Sequence, residues 1–234
     1  MTVQEHYNSI GNKTLQILEA SLKNEDLELL TSNHSFLFDY ENWLEILKDR
    51  PEHSILMNAV KEYQMSILSN NLGLYQQAFM GLRFFLERSL VAILFSANEI
   101  ELNLWKKGER DTYWNELTDN EKGIFSHKFC RAFFPELKDE IQHFNRITLK
   151  VYRECSEYVH GNQSIIEKIP SNLEYSEEIF KEWNIKANII KRVILFCFCL
   201  RYLKSIKQND LKKIENLLKD ELGGISPITE ILSQ

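Results

Sequence analysis

An all-α fold is the expectation for this chain of 234 residues, and three features lead to it. Only eight Gly and four Pro occur, too few for the regular turns of a β-sandwich or barrel. Leu, Ile, Glu, Lys and Asn dominate the composition, as in chains built from long helices. A hydrophobic content of 44% is enough to fill a sizeable core. No internal repeat, low-complexity tract or linker divides the chain, so residues 1–234 are expected to form one α-helical domain.

From Thr2 to about Leu22, Ile10, Leu15, Ile17, Leu18 and Leu22 recur among polar residues, which predicts an amphipathic helix. Asn24, Asp26 and the stretch Thr31 to His34 punctuate the chain after it. Phe36 to Leu47, with Trp43, reads as a short helix that stops ahead of Pro51, and Ser54 to Leu68 as the next. After Ser69-Asn70-Asn71, the segment Leu72 to Ala97 is apolar on most sides, which predicts a central helix. Arg83 and Glu87 stand four apart within it, the spacing of an intrahelical ion pair.

Residues 99–134 break the rhythm with Trp105, the charged run Lys106 to Asp111, Trp114 and Gly123, and are expected to form an irregular insertion of short helices and loops. A long helix is predicted from Pro135 to Val159 or His160, closed by Gly161. Ser164 to Tyr175 is a polar connection containing Pro170; a last long helix spans about Ser176 to Ile206, and Leu211 to Leu222 comes after it. Gly223-Gly224 and Pro227 are expected to end regular structure, leaving 223–234 as a short tail.

Charge narrows the function classes. At a formal −6 the chain as a whole repels polyanions, so contact with nucleic acid has to be local. Lys181 to Lys213 carries nine basic residues against Glu182 and Asp210, either a positive surface or the solvated face of a helix. Cys130, Cys155, Cys197 and Cys199 lack paired metal-ligand spacing, and with no secretory leader in view they are expected to be reduced thiols in a cytoplasmic protein. The longest apolar run, Val193 to Leu200, falls well short of the roughly 20 residues of a membrane span, and no membrane association is expected. His127, His143 and Arg146 form no metal set with a neighbouring Cys or carboxylate and read as structural or surface residues. No glycine-rich phosphate loop, Ser-His-Asp order, paired-carboxylate motif or HExxH occurs, so neither a metal nor a cofactor is expected.

Placed on a helical wheel, residues 141–160 put Phe144, Ile147, Val151, Cys155 and Tyr158 on one stripe that must face a core. Arg153, Ser156, Glu157 and His160 fall on the far side. Arg153 and His160 are seven apart and share a face, about 10.5 Å apart along the axis, a gap that a guanidinium arm closes in large part.

The segment YRECSEYVHG, residues 152–161, resembles the signature of HEPN-domain proteins, an Arg followed after four to six residues by a His. It stands near the end of a long helix in an all-α chain, as HEPN motifs do. The preceding core helix with Arg83 and Glu87 is similar to the arrangement in defence-associated HEPN-like families. The resemblance implies a HEPN-like helical bundle with long core helices that dimerises, so that the motifs of two protomers form one composite cleft where RNA is cut without a metal. Carried over by position, Arg153 and His160 match the two catalytic residues. The family often has Asn, Asp or His directly after the Arg; Glu154 stands there in this chain. Glu154, Ser156, Glu157, Glu87 and Arg83 are candidates for supporting roles.

The residue types suit that chemistry. In metal-independent cleavage the 2′-hydroxyl attacks its neighbouring phosphate, so protons must move and developing negative charge must be held. Histidine as a residue type moves protons near neutral pH; arginine stays charged and grips two phosphate oxygens. Two functions are compatible with these residues. One is a metal-independent HEPN endoribonuclease that leaves 2′,3′-cyclic phosphate ends, acting as the toxin or effector of a bacterial toxin–antitoxin or anti-phage defence system, homodimeric and restrained by an antitoxin or another subunit. The other is a non-catalytic HEPN-like adaptor that binds a partner protein or nucleic acid in a defence complex through the same stripe.

Overall fold

The computed structural model describes residues 1–23 and 27–233, the side chain of Ser164 excepted. The fold is all-α: twelve helices and no strand occur among the described residues. They are α1 (Val3–Leu22), α2 (Leu27–Ile46), α3 (His53–Asn71), α4 (Tyr75–Phe95), α5 (Glu99–Lys106), α6 (Trp114–Leu117), α7 (His127–Phe133), α8 (Ile141–His160), α9 (Gln163–Lys168), α10 (Glu177–Tyr202), α11 (Gln208–Leu222) and α12 (Ser226–Leu232). Among these residues no helix is long and apolar enough to cross a membrane.

Helix α10 is the axis of the molecule. Every residue from Val193 to Leu200 is fully buried, so this segment is enclosed on all sides, and the helix packs against α2, α4, α7, α8 and α11. Helices α3 and α4 form a hairpin through Leu72–Leu74. Their approach is close because Gly81 has no side chain: a Cβ there would meet the Ser66 Cβ at 3.0 Å and the Glu62 carbonyl at 3.2 Å. Aromatic rings bind these layers, with Phe144 of α8 stacked on Phe196 of α10 at 3.8 Å and Trp43 of α2 tilted against Phe198 at 4.9 Å.

Several boundaries differ from the expected ones, for physical reasons. Asn24 and Asp26 lie outside the described residues, but α2 runs straight through Thr31–His34. Two of the polar residues there face inward: Asn33 donates to the Asn184 carbonyl at 2.9 Å, and Lys191 donates to the Ser32 hydroxyl at 2.9 Å. The long helix foreseen from Pro135 is a separate 3₁₀ turn, Pro135–Leu137, followed by α8 from Ile141. Asn162, whose side chain accepts from the Ile165 amide at 3.0 Å, starts a further short helix inside the polar connection. The last long helix stops at Tyr202, and a 3₁₀ turn, Leu203–Ser205, follows. The tail is helical too, because Pro227 sits in the first turn of α12, where its missing N–H has no intrahelical partner to lose, and Ile228 and Leu232 bury against α11.

Helix α1 stands apart. Thr2 and Glu5 close a capping box that starts the helix without tertiary help. Only Ile17 and Ser21 are buried, and Val3, Tyr7 and Leu15 remain exposed.

Candidate functional site

Helix α8 is held on its inner side and free on its outer side. Ile141, Phe144, Val151, Cys155 and Tyr158 are buried, while Ile147 packs against the core from its edge. The C-terminal end is fixed twice. Gly161 takes a left-handed conformation at φ 64°, which a side chain would strain, and its N–H closes on the Glu157 carbonyl at 3.0 Å. Tyr158 stacks on Phe79 of α4 at 3.7 Å and donates its hydroxyl to Glu182 of α10 at 3.0 Å, and Lys168 joins the same carboxylate.

Arg153 and His160 both point outward from this anchored segment. The Arg153 side chain is 83% exposed, and its Nε lies 3.5 Å from the Glu157 carboxylate, a contact that water screens. His160 is exposed in the last turn of the helix. Glu154 is turned to the side and engages Lys186 of α10 at 2.5 Å. The Ser156 hydroxyl donates to the Tyr152 carbonyl at 2.7 Å, so it is spent on its own helix.

The Arg83–Glu87 ion pair forms at 3.2 Å and is largely covered. It touches α8 through Tyr152: the Arg83 guanidinium lies 4.8 Å from that ring, and the Glu87 carboxylate acts on the Tyr152 hydroxyl. Trp114 from the middle insertion stacks on the ring at 3.5 Å. Burial first, and then Glu87, push the Tyr152 hydroxyl up to about 12. Arg83, Glu87 and Trp114 thus fix the residue that precedes Arg153. Cys155 is buried, and burial raises its thiol to about 12, so it is held as an inert apolar residue.

The outer stripe of α8 holds more than Arg153 and His160. His143, Arg146, Lys150, Arg153, Glu157 and His160 succeed one another at intervals of three and four, which puts them on a single stripe, and all but the half-exposed Glu157 are exposed. The same spacing arithmetic that isolates Arg153 and His160 finds the other members once His143 and Arg146 are kept on the wheel. The basic run Lys181 to Lys213, in contrast, is largely occupied by carboxylates: Lys181 by Glu177, Lys186 by Glu154, Lys191 by Glu221, Lys204 by Glu136 and Lys213 by Asp210.

Among the described residues no group of three or more His, Cys, Asp and Glu side chains comes together that could hold a metal ion. Comparison with family models, with curated proteins and with solved structures returns no match.

Proposed function

We propose that the chain is a metal-independent endoribonuclease of the HEPN type, with Arg153 and His160 as its catalytic residues and two copies joining their motifs in one cleft. The observation that carries this reading is the placement of these two side chains. They are exposed on one face of α8, at an end of the helix that Gly161, Phe79 and Glu182 hold rigidly. The resemblance of residues 152–161 supplies the reaction class and the role as toxin or effector of a defence system in the cytoplasm, restrained by a protein partner.

In the reaction, the imidazole of one His160 takes the proton of a ribose 2′-hydroxyl. The freed oxygen bonds to the adjacent phosphorus while the bond to the 5′ oxygen breaks. The His160 of the second protomer returns a proton to that leaving oxygen. Arg153 neutralises the charge that builds on the non-bridging oxygens, and a phosphate displaces Glu157 from it. Tyr152, clamped by Trp114, Arg83 and Glu87, acts through Arg153 as a positioning residue.

Purified wild type should cut total cellular RNA in EDTA and leave 2′,3′-cyclic phosphate ends, with activity lost in Arg153→Ala and in His160→Ala. Absence of cleavage, or equal cleavage by all three proteins, would overturn the assignment.

One observation favours the adaptor instead. Helix α1 carries Val3, Tyr7 and Leu15 exposed on a helix that touches the body only through its second half, an apolar surface suited to a protein partner.

A further inference from the structure

Cations on the outer stripe of α8 are spaced by one helical turn, about 5 Å per step. Arg146 makes no ion pair with any described residue, and Lys150, 78% exposed, comes no closer than 3.9 Å to a carboxylate. Beside them α8 and α10 enclose a half-open groove of about 270 Å³. Its floor is apolar, formed by Ile147, Val151, Ile189 and Val193, and its edges carry His143, Lys150, Asn188 and Arg192. Arg192 lies at the limit of ion-pair distance from Glu221, 4.0 Å, and is half exposed. Across the whole face Arg146, Lys150, Arg153, Lys186 and Arg192 stand against Glu154, Glu157 and, at the edge, Glu221, although the chain as a whole is at −6.

We infer that this face is the track for a single strand of RNA: one base enters the α8–α10 groove, and phosphates on Arg146, Lys150 and Arg192 lead the strand to Arg153 and His160. The inference rests on the ribonuclease reading for the identity of the strand. Three properties select a nucleic-acid strand as the occupant. The cations are regularly stepped, as a polyanion with a regular repeat requires. The groove is small, about 270 Å³, and its Asn188 and His143 edges offer hydrogen bonds beside an apolar floor, the combination a planar base with polar edges requires. The line of charge is also continuous with the catalytic pair, His143 lying about 15 Å along the axis from Arg153. Lys186 is held by Glu154 at the inner end of the groove, so this pair sets the groove's boundary next to Arg153 and leaves the phosphates to Arg146 and to the loosely paired Lys150 and Arg192.

The test separates binding from cleavage. Anisotropy of a labelled 2′-O-methyl oligoribonucleotide, which lacks the attacking hydroxyl, is followed with the full chain from low to moderate salt. Wild type should bind with log K falling against log salt at a slope of about −3, the value for four phosphate contacts on a single strand, that of Arg153 included. The triple variant Arg146→Gln/Lys150→Gln/Arg192→Gln should weaken binding at least about tenfold at low salt and flatten the slope. A triple of the same charge, Lys13→Gln/Lys207→Gln/Lys212→Gln, placed on exposed positions away from the stripe, should stay within about twofold. Equal losses in the two triples, or no binding by wild type at low salt, would overturn the track and leave the stripe to an acidic protein partner. Binding by wild type without cleavage of unmodified RNA would leave the track standing and remove the ribonuclease. Cleavage at the wild-type rate by the stripe triple would do the reverse.

Discussion

Helices α8 and α10 both carry many basic residues and, the half-exposed Arg192 of α10 apart, they use them in opposite ways. On α10, Lys191 is only 2% exposed and is bound to Glu221 of α11 and to Ser32 of α2, so its charge ties three helices together. Lys181 and Lys186 are paired with carboxylates as well. On α8, Arg146, Lys150 and Arg153 extend from a helix whose opposite side is sealed into the core, and only Glu157 and, at long range, Glu154 attend them. A count of basic residues therefore says little about where a polyanion would be held. The field at a surface is set by the cations that have no carboxylate beside them.

Removing the carboxylate of the buried pair gives the largest expected effect. Glu221→Gln leaves the covered Lys191 ammonium without its direct partner and with Asp39 as a more distant acidic neighbour, which costs up to about 3 kcal/mol. Substituting Arg146 or Lys150 by Gln should change stability by less than about 0.5 kcal/mol, as for exposed side chains in general. Chemical denaturation of the three variants makes the comparison. A cost for Lys150→Gln as large as that for Glu221→Gln would mean that the α8 cations are structural and not free.

A smaller effect separates the flank of α8 from its outer stripe. The Tyr152 hydroxyl is held up to about 12 by burial and by Glu87, against an ordinary value near 10. The fold thus favours the neutral form, and the stabilisation is fully present below about pH 10 and is lost as pH rises toward 12. Tyr152→Phe should flatten the alkaline fall in stability by about 1–2 kcal/mol over that window, followed as melting temperature against pH. An unchanged alkaline slope would show that neither burial nor Glu87 holds this hydroxyl in its neutral form, and the clamp behind Arg153 would be looser than its contacts imply.

Much of α8 is legible from spacing alone, because its hydrophobic positions obey a single helical period and its end is marked by Gly161. The partners of the α10 cations are not, since they come from elsewhere in the chain: Glu154 meets Lys186 across 32 residues, and Glu136 meets Lys204 across 68. Polar residues mislead for the same reason. Ser32 and Asn33 resemble a break between helices until Lys191 and Asn184 are known to lie opposite them. Pro227 resembles a stop, but in a first turn it is a start. What the spacing of one segment settles is its own faces; what each face meets depends on segments far away in the chain.

Ser156 offers the finest division, within α8 itself. It lies beside Arg153 and Glu157 in sequence, and a serine near an arginine and a histidine invites a role as nucleophile or proton carrier. Its hydroxyl, however, donates to the Tyr152 carbonyl at 2.7 Å, a local bond that the helix does not need, because that carbonyl also accepts within the α-helical ladder. Ser156→Ala removes only this extra bond and introduces a better helix former, so the two effects oppose each other. The expected change in stability is within about 0.5 kcal/mol and, on the proposed ribonuclease function, cleavage of unmodified RNA stays at the wild-type rate. A loss of cleavage approaching that of His160→Ala, with stability unchanged, would show that the hydroxyl leaves its carbonyl in the working complex. The chemistry would then involve the flank of α8 as well as its outer stripe.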